Sequence, residues 1–310
     1  MSEIPKDRTH FEQLGLFFMV WMGCFLFFSL LAAGSLLAFY GAEVYKVISS
    51  SGNVGLENLN SIRFLQILLS IGIFGVPPLV FIFICKPRDW TFFRLGSAPP
   101  VKLILLTAVI VALAAPLVLW ALDVNQNMSL PSAFKTWEDY LRDLEDKNEK
   151  LLETLLIMNS GSDFILNFLM IAMIPAFVEE LLFRGTLQQL LAKVLGDAHL
   201  SIIITGIFFS FIHFQFYGFF PRMLLGILLG YIFFWSGNLW LAILAHFLNN
   251  GVQVTMVYLF QRGTISINID DMVSFPPYIT MIATVLLFAA VYIFDLAAQS
   301  KSTEDGKGLG

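Results

Sequence analysis

Residues 164–190 have the sequence FILNFLMIAMIPAFVEELLFRGTLQQL, an apolar run that nevertheless contains two adjacent acids and a base. A helix needs about 20 apolar residues to span the roughly 30 Å of hydrocarbon in a bilayer, and this run is longer than that. Ionisable side chains within hydrocarbon cost about 2.5–3.5 kcal/mol each on insertion scales, so they are retained there mainly for a function. Glu179, Glu180 and Arg184 are therefore the first candidates for chemistry.

The composition of the whole chain agrees with a membrane protein. The chain is 57% apolar and 13% charged, whereas about 25% of residues are charged in an ordinary soluble domain. We therefore expect an all-α polytopic membrane protein, with residues 1–310 forming a single eight-helix bundle. The transmembrane spans are predicted near residues 12–40, 62–85, 101–122, 164–190, 201–220, 222–236, 239–260 and 276–297.

One sizeable polar insert, residues 123–163, interrupts this apolar pattern. Its apolar residues recur at roughly helical spacing, and they are Phe134, Trp137, Leu141, Leu144, Leu151, Leu152 and Leu155. Its acids fall on the opposite face, and they are Glu138, Asp139, Asp143, Glu145, Asp146 and Glu149. The pattern predicts an amphipathic extramembrane helix after Pro131 that lies on the membrane or caps the bundle.

Charge placement bears on partners and orientation. The net charge of −5 is small and the basic residues are scattered, so the lipid bilayer is the expected partner and nucleic acid is not. The distribution of Lys and Arg among the loops favours both termini on the cytoplasmic side of a bacterial cytoplasmic membrane. Cys24 and Cys85 fall in apolar spans and are expected to be free and inert. Nothing in the sequence indicates an oligomeric state.

Two of the four histidines also lie in apolar runs, and they are His213 and His246. At 1.5 Å per residue, Glu179 is about 24 Å from the start of its run, and His213 and His246 are about 18 Å and 12 Å from the starts of theirs. With both termini cytoplasmic, these depths all fall in or near the inner half of the membrane. Residues 164–260 are therefore predicted to form the catalytic core.

Helical spacing divides the polar residues of the first run. The side chains of Glu179 and Glu180 diverge by about 100° because the residues are adjacent. Glu180 and Arg184 are four residues apart with the acid first, which is the favourable order for a salt bridge. We predict a structural Glu180–Arg184 pair and a free Glu179 carboxylate. Pro175 removes a backbone donor and can kink the helix at this point.

A carboxylate, two imidazoles and the carboxamide of Asn250 indicate hydrolysis. A carboxylate beside an imidazole can activate water as a general base, and His and Asn side chains can donate to an oxyanion. Alternatively, Glu179, His213 and His246 could bind a divalent metal such as zinc, which would activate the water instead. The helical His-Glu-x-x-His metal motif is absent, so the metal-independent mechanism is favoured.

Three motifs in order resemble those of a known family. They are Glu-Glu-x3-Arg at Glu179–Arg184, Phe-x3-His at Phe209–His213 and His-x3-Asn at His246–Asn250. In this order they resemble the CPBP intramembrane endopeptidases, also called the Abi family, which include CAAX proteases and bacteriocin-processing enzymes. The resemblance covers residues 175–250.

The resemblance implies a fold similar to that of the type II CAAX prenyl endopeptidase, with a cavity open to the cytoplasm. It implies that Glu179 and His213 activate water, while His246 and Asn250 stabilise the oxyanion. The expected function is hydrolysis of membrane-associated or prenylated peptides. The main alternative is a non-catalytic membrane scaffold or bacteriocin-immunity protein of the same fold. A proton or ion carrier is less favoured, because the chain shows no convincing internal repeat.

Overall fold

The fold is that of a computed structural model, which describes residues 8–50, 59–85, 89–266 and 275–304. Every regular element in these ranges is a helix, so the predicted all-α class is confirmed for the described chain. The two termini, which we predict to be cytoplasmic, are residues 1–7 and 305–310, and they lie outside the described residues.

Nine helices account for most of the described residues. They are α1 (His10–Ser50), α2 (Leu59–Cys85), α3 (Val101–Gln126), α4 (Lys135–Leu155), α5 (Gly161–Leu195), α6 (Ala198–Phe211), α7 (Phe219–Ser236), α8 (Leu239–Gln261) and α9 (Pro277–Glu304). Wider π-helical turns interrupt α2 at Ile71–Gly75 and α5 at Phe168–Met173 and Phe183–Gln188. Such turns are rare in proteins overall, and those that occur are often found at functional sites.

Seven of the helices in the described chain are long and apolar enough to cross a membrane, so a multi-pass membrane protein is indicated. The predicted count of eight crossings is not reproduced. The span predicted at residues 201–220 corresponds to α6, which has 14 residues and ends at Phe211. The backbone turns there, and Phe214 adopts a left-handed conformation with φ of 52°. A short 3₁₀-helical turn at Phe216–Gly218 then leads into α7.

Glycines allow α6 and α7 to pack at short distance. A Cβ atom at Gly226 of α7 would lie 3.0 Å from Cα of Gly206 on α6, and one at Gly206 would lie 2.7 Å from the side chain of Ile227. Farther along α7, a Cβ atom at Gly230 would lie 2.8 Å from Ile202. The short distance between α6 and α7 therefore depends on Gly206, Gly226 and Gly230, as in other membrane helices with small residues at their interface.

The described helices pack around two large apolar clusters and a small one formed by Ile62, Leu155 and Met170. The first is centred on Phe183 and Leu187 of α5 and includes residues of α1, α2, α6 and α8. The second surrounds Leu229 of α7 and Phe294 of α9 and includes residues of α3 and α8. Apolar side chains on the outer faces of α1 and α9 are exposed, as expected for helices that contact lipid. Much of α5 is consequently enclosed by its neighbours.

The polar insert forms the helix α4, but its faces differ from the prediction. Leu155 is buried as expected, whereas Phe134 and Trp137 are exposed and Glu138 is buried. Glu138 can be buried because its carboxylate accepts from Arg142 (3.0 Å) and from the backbone N–H of Leu130 (3.2 Å). The hydrogen bond from Arg142 lowers the pKa of Glu138. The membrane-lying or capping role of this helix stays a prediction.

Candidate active site

Helix α5 carries the acidic pair Glu179 and Glu180, and the helix is wound more loosely just before this pair. The π-helical turn Phe168–Met173 precedes Pro175, which has no backbone N–H to continue an α-helical ladder. The side chain of Asn250 on α8 reaches this turn, and its Nδ2 donates to the carbonyl oxygen of Ile171 over 3.1 Å. One N–H of the Asn250 carboxamide is therefore engaged, and a carboxamide has a second.

Glu180 joins α5 to α8 through one carboxylate oxygen. Its Oε1 accepts from Nη1 of Arg184 at 2.7 Å and lies 2.9 Å from Nδ1 of His246. The side chains of Glu180 and Arg184 are fully buried, and that of His246 is 3% exposed. Burial of charged groups is costly unless they are paired, and the ion pair provides that compensation. The contact between His246 and Glu180 is not evident from sequence spacing, since the residues are 66 positions apart.

Arg184 and Gln188 connect α5 to the glycine face of α7. Nη2 of Arg184 donates to the carbonyl of Gly226 at 2.5 Å, and Nε2 of Gln188 donates to the carbonyl of Gly230 at 3.1 Å. Arg184 and Gln188 are four residues apart on α5, as Gly226 and Gly230 are on α7. The second contact therefore repeats the first one helical turn later. The absence of side chains at Gly226 and Gly230 leaves these carbonyls open to approach. Gln188 is missing from the predicted site, although it lies four residues after Arg184 on the same helical face.

Phe209 of α6 lies between the two imidazoles. Its ring centroid is 5.4 Å from that of His213 and 5.7 Å from that of His246. The guanidinium carbon of Arg184 lies 5.0 Å from the same ring, within the range of a cation–π contact. These contacts show that Phe209 packs within the site itself.

His213 lies beyond the C-terminal end of α6, in the turn that leads towards α7. Its backbone N–H donates to the carbonyl of Ser210, and its Nδ1 lies 2.7 Å from the carbonyl oxygen of Phe209. A carbonyl can only accept, so Nδ1 of His213 carries a proton. In the neutral ring Nε2 is then the acceptor, which is the form needed to bind a water or to act as a base.

The same reasoning fixes the proton on His246. Its Nδ1 faces an oxygen of Glu180 that also accepts from Arg184, so Nδ1 of His246 is the donor. Neutral His246 then presents Nε2 as an acceptor, and only the imidazolium can donate from both nitrogens. Oε1 of Glu180 accepts from Nδ1 of His246 in either form of the ring.

Glu179 is buried and is 8% exposed. Within the described chain its carboxylate has no hydrogen bond or ion pair, and it interacts electrostatically with His246, Glu180 and Arg184. No direct hydrogen bond joins Glu179 to His213 among the described residues. The arrangement therefore brings Glu179 and His213 each close to His246, rather than into contact with one another.

A metal site requires at least three ligating side chains that converge on one point. In the ranges that the structure describes, no three His, Cys, Asp or Glu side chains form a group that could hold a metal ion. Glu179, His213 and His246 therefore do not form a ligand set in this arrangement. We derive no catalytic step through a metal.

Comparison with known proteins identifies the segment that carries these residues. Residues 161–252 match the family model described as Rce1-like, type II CAAX prenyl endopeptidase Rce1-like. The matched segment includes Glu179, Glu180, Arg184, His213 and His246, and it also includes Asn250. No curated protein sequence matches the chain, and no solved structure matches it. The resemblance to CAAX proteases is confirmed over this segment, and it indicates a CAAX-type intramembrane protease.

Proposed function

We propose that this protein is an intramembrane endopeptidase that hydrolyses membrane-associated or prenylated peptides near the cytoplasmic side of the membrane. The observation that carries the proposal is the contact of His246 with Glu180, whose carboxylate also pairs with Arg184, beside Phe209 and within a segment that matches a protease family. Buried ionisable groups of this kind in a membrane bundle are a functional-site hypothesis by default.

In the proposed mechanism Glu179 is the general base. A water molecule donates one proton to its carboxylate while the water oxygen attacks the carbonyl carbon of the scissile peptide. Nε2 of His213 accepts a hydrogen bond from the other O–H of that water, which keeps its proton, and so holds the oxygen in line. A positioned base of this kind contributes about 100- to 10,000-fold to the rate. Burial of Glu179 favours this role, because few other water molecules can compete for its carboxylate.

His246 and Asn250 are proposed to stabilise the oxyanion that forms on the carbonyl oxygen. The imidazolium of His246 donates from Nε2, with Glu180 holding its Nδ1, and Asn250 donates through its second amide N–H. Collapse of the tetrahedral intermediate breaks the C–N bond, and the proton held by Glu179 passes to the leaving amine. Removal of one oxyanion donor typically lowers kcat by about 100- to 1,000-fold.

The substrate class is tested with matched peptides. Purified protein in detergent is given two quenched fluorescent peptides of one sequence, one with a prenylated cysteine and one with a free cysteine. We expect cleavage of both, with a higher kcat/KM for the prenylated peptide, because its lipid partitions into the apolar surroundings of the site. If folded protein cleaves neither peptide nor a library of apolar peptides, the endopeptidase proposal fails and the non-catalytic scaffold replaces it.

A further inference from the structure

Residues 212–218, which join α6 to α7 and contain His213, leave the α-helical path. Phe214 has a left-handed backbone with φ of 52°, which is disfavoured for a bulky residue. Such a conformation persists only where the surrounding structure enforces it. The position of His213 therefore depends on contacts that other elements make with this segment.

Asn125, at the C-terminal end of α3, holds the segment at two points. Its Nδ2 donates to the carbonyl oxygen of Phe216 at 3.1 Å, and its Oδ1 accepts from the backbone N–H of Phe220 at 2.9 Å. The Asn125 residue is fully buried. A single carboxamide thus satisfies a backbone acceptor and a backbone donor that leave the helical ladder at the turn.

Three further side chains fasten the same segment. Oγ of Ser210 donates to the carbonyl of Phe219 at 2.6 Å, and Oε2 of Glu145 on α4 accepts from the N–H of Tyr217 at 3.3 Å. Arg222 donates to the side chain of Gln215. These three side chains lie on α6, α4 and α7. Asn125 adds contacts from a fourth helix, α3.

We propose that Asn125 is a positioning residue for His213 and acts through residues 216–220. This inference rests on the proposed function. Asn125 lies outside residues 161–252, so the family match does not include it. Loss of its two hydrogen bonds would leave the segment free to relax from the left-handed turn at Phe214. The His213 backbone would then move, and the Nδ1 contact with the Phe209 carbonyl would not be maintained.

The test compares Asn125 with a matched control two residues away. Asn127 is exposed, and its Nδ2 contacts only Asp123, four residues earlier on the same helix. We expect Asn125→Leu to lower kcat by about 100-fold, because misplacement of a catalytic group by about 1 Å costs that much, with little change in KM. Asn127→Leu should leave both constants unchanged. Equal effects of the two variants would overturn the proposal.

Asn125→Asp provides a conservative variant with its own signature. When the introduced carboxyl group is protonated, it can donate to Phe216 and accept from Phe220, whereas the ionised form has no donor. The activity of this variant relative to the original protein should therefore rise as the pH falls and the carboxyl gains its proton. A ratio that stays constant with pH would contradict the proposal. This variant also keeps the test decisive if Asn125→Leu fails to fold.

A spectroscopic measurement separates this proposal from the proposed function. The chain has four histidines, so 15N-histidine labelling gives few signals, and His213→Ala identifies the one of interest. We expect the Nδ1–H tautomer for His213 in the original protein and a mixture of tautomers in Asn125→Leu. An unchanged tautomer in Asn125→Leu would overturn the positioning role. If the original protein cleaves no peptide, the endopeptidase proposal fails, yet this spectrum still decides the role of Asn125.

Discussion

Asn250 on α8 donates through Nδ2 to the backbone carbonyl of Ile171 on α5, over 3.1 Å. In a regular α-helix that carbonyl would accept from the N–H of residue 175, which is a proline and has none. The carboxamide therefore replaces a helical hydrogen bond with one between helices. The helix that carries Glu179 is in this way fixed to the helix that carries His246.

The Asn250–Ile171 contact predicts coupling between Asn250 and Pro175. Asn250→Ala should lower the free energy of unfolding by about 1 kcal/mol, because it removes one intramolecular hydrogen bond. Pro175→Ala supplies a backbone N–H that can pair with Ile171, so Asn250→Ala should cost less in that background. A double-mutant cycle in an SDS unfolding titration measures the coupling, which we expect to be at least about 0.5 kcal/mol. Strictly additive effects would contradict this role of Asn250.

The buried ion pair predicts a large difference between Glu180 and an exposed acid. Glu180→Gln leaves Arg184 buried without its counter-charge, so it should lower the free energy of unfolding by about 3–5 kcal/mol. Asp143→Asn is the control, since Asp143 pairs with Lys147 on the exposed face of α4 and should matter little. Unfolding titrations of both variants make the comparison. Similar stabilities would show that the Glu180–Arg184 pair is not a structural element.

The close approach of α6 and α7 predicts opposite effects of two Gly→Ala substitutions. Gly206→Ala places a methyl group 2.7 Å from Ile227 and should destabilise the fold by about 1–3 kcal/mol through overpacking. Gly23→Ala on α1 meets no atom within 4 Å and should be neutral or stabilising, because alanine favours a helix. The melting temperatures of the two variants, measured in the same detergent, report both changes in stability. A tolerated Gly206→Ala would contradict the packing of α6 on α7.

Several features of the site follow from sequence spacing alone. Glu180 and Arg184 are one helical turn apart on the same element, so their contact needs no knowledge of tertiary structure. The same holds for the separation of Glu179 from Glu180. The contact between His246 and Glu180 cannot be read in this way, because it depends on how α5 and α8 are rotated when they pack. The π-helical turns of α5 also leave no periodic signal in an apolar run.

The end of α6 shows a different limit of sequence reasoning. Residues 201–220 are mostly apolar and contain no Asp, Glu, Lys or Arg, so hydropathy extends the span beyond Phe211. The turn is determined instead by Asn125, Glu145 and Arg222, which lie on other elements. On α4, the spacing predicts the helix but not its orientation, because Glu138 acquires hydrogen-bond partners in Arg142 and Leu130 that sequence spacing does not specify. Burial there follows hydrogen bonding rather than hydrophobicity.

Removal of metal distinguishes the two water-activating mechanisms. We expect activity to survive dialysis against a strong chelator, because the described residues hold no group of three potential metal ligands. Peptide cleavage is measured before and after dialysis, with the melting temperature as a check on folding. Activity that is lost and then restored by one divalent ion would instead assign Glu179, His213 and His246 as its ligands.

The most direct measurement is the cleavage rate of a prenylated quenched peptide by the Glu179→Gln variant. Glutamine keeps the shape of the side chain and cannot take a proton from water, whereas Glu153→Gln changes an exposed acid on α4 and serves as the control. We expect Glu179→Gln to lower kcat by about 100- to 10,000-fold at an unchanged melting temperature, with full activity in the control. Full activity of a correctly folded Glu179→Gln variant would contradict catalysis by this carboxylate.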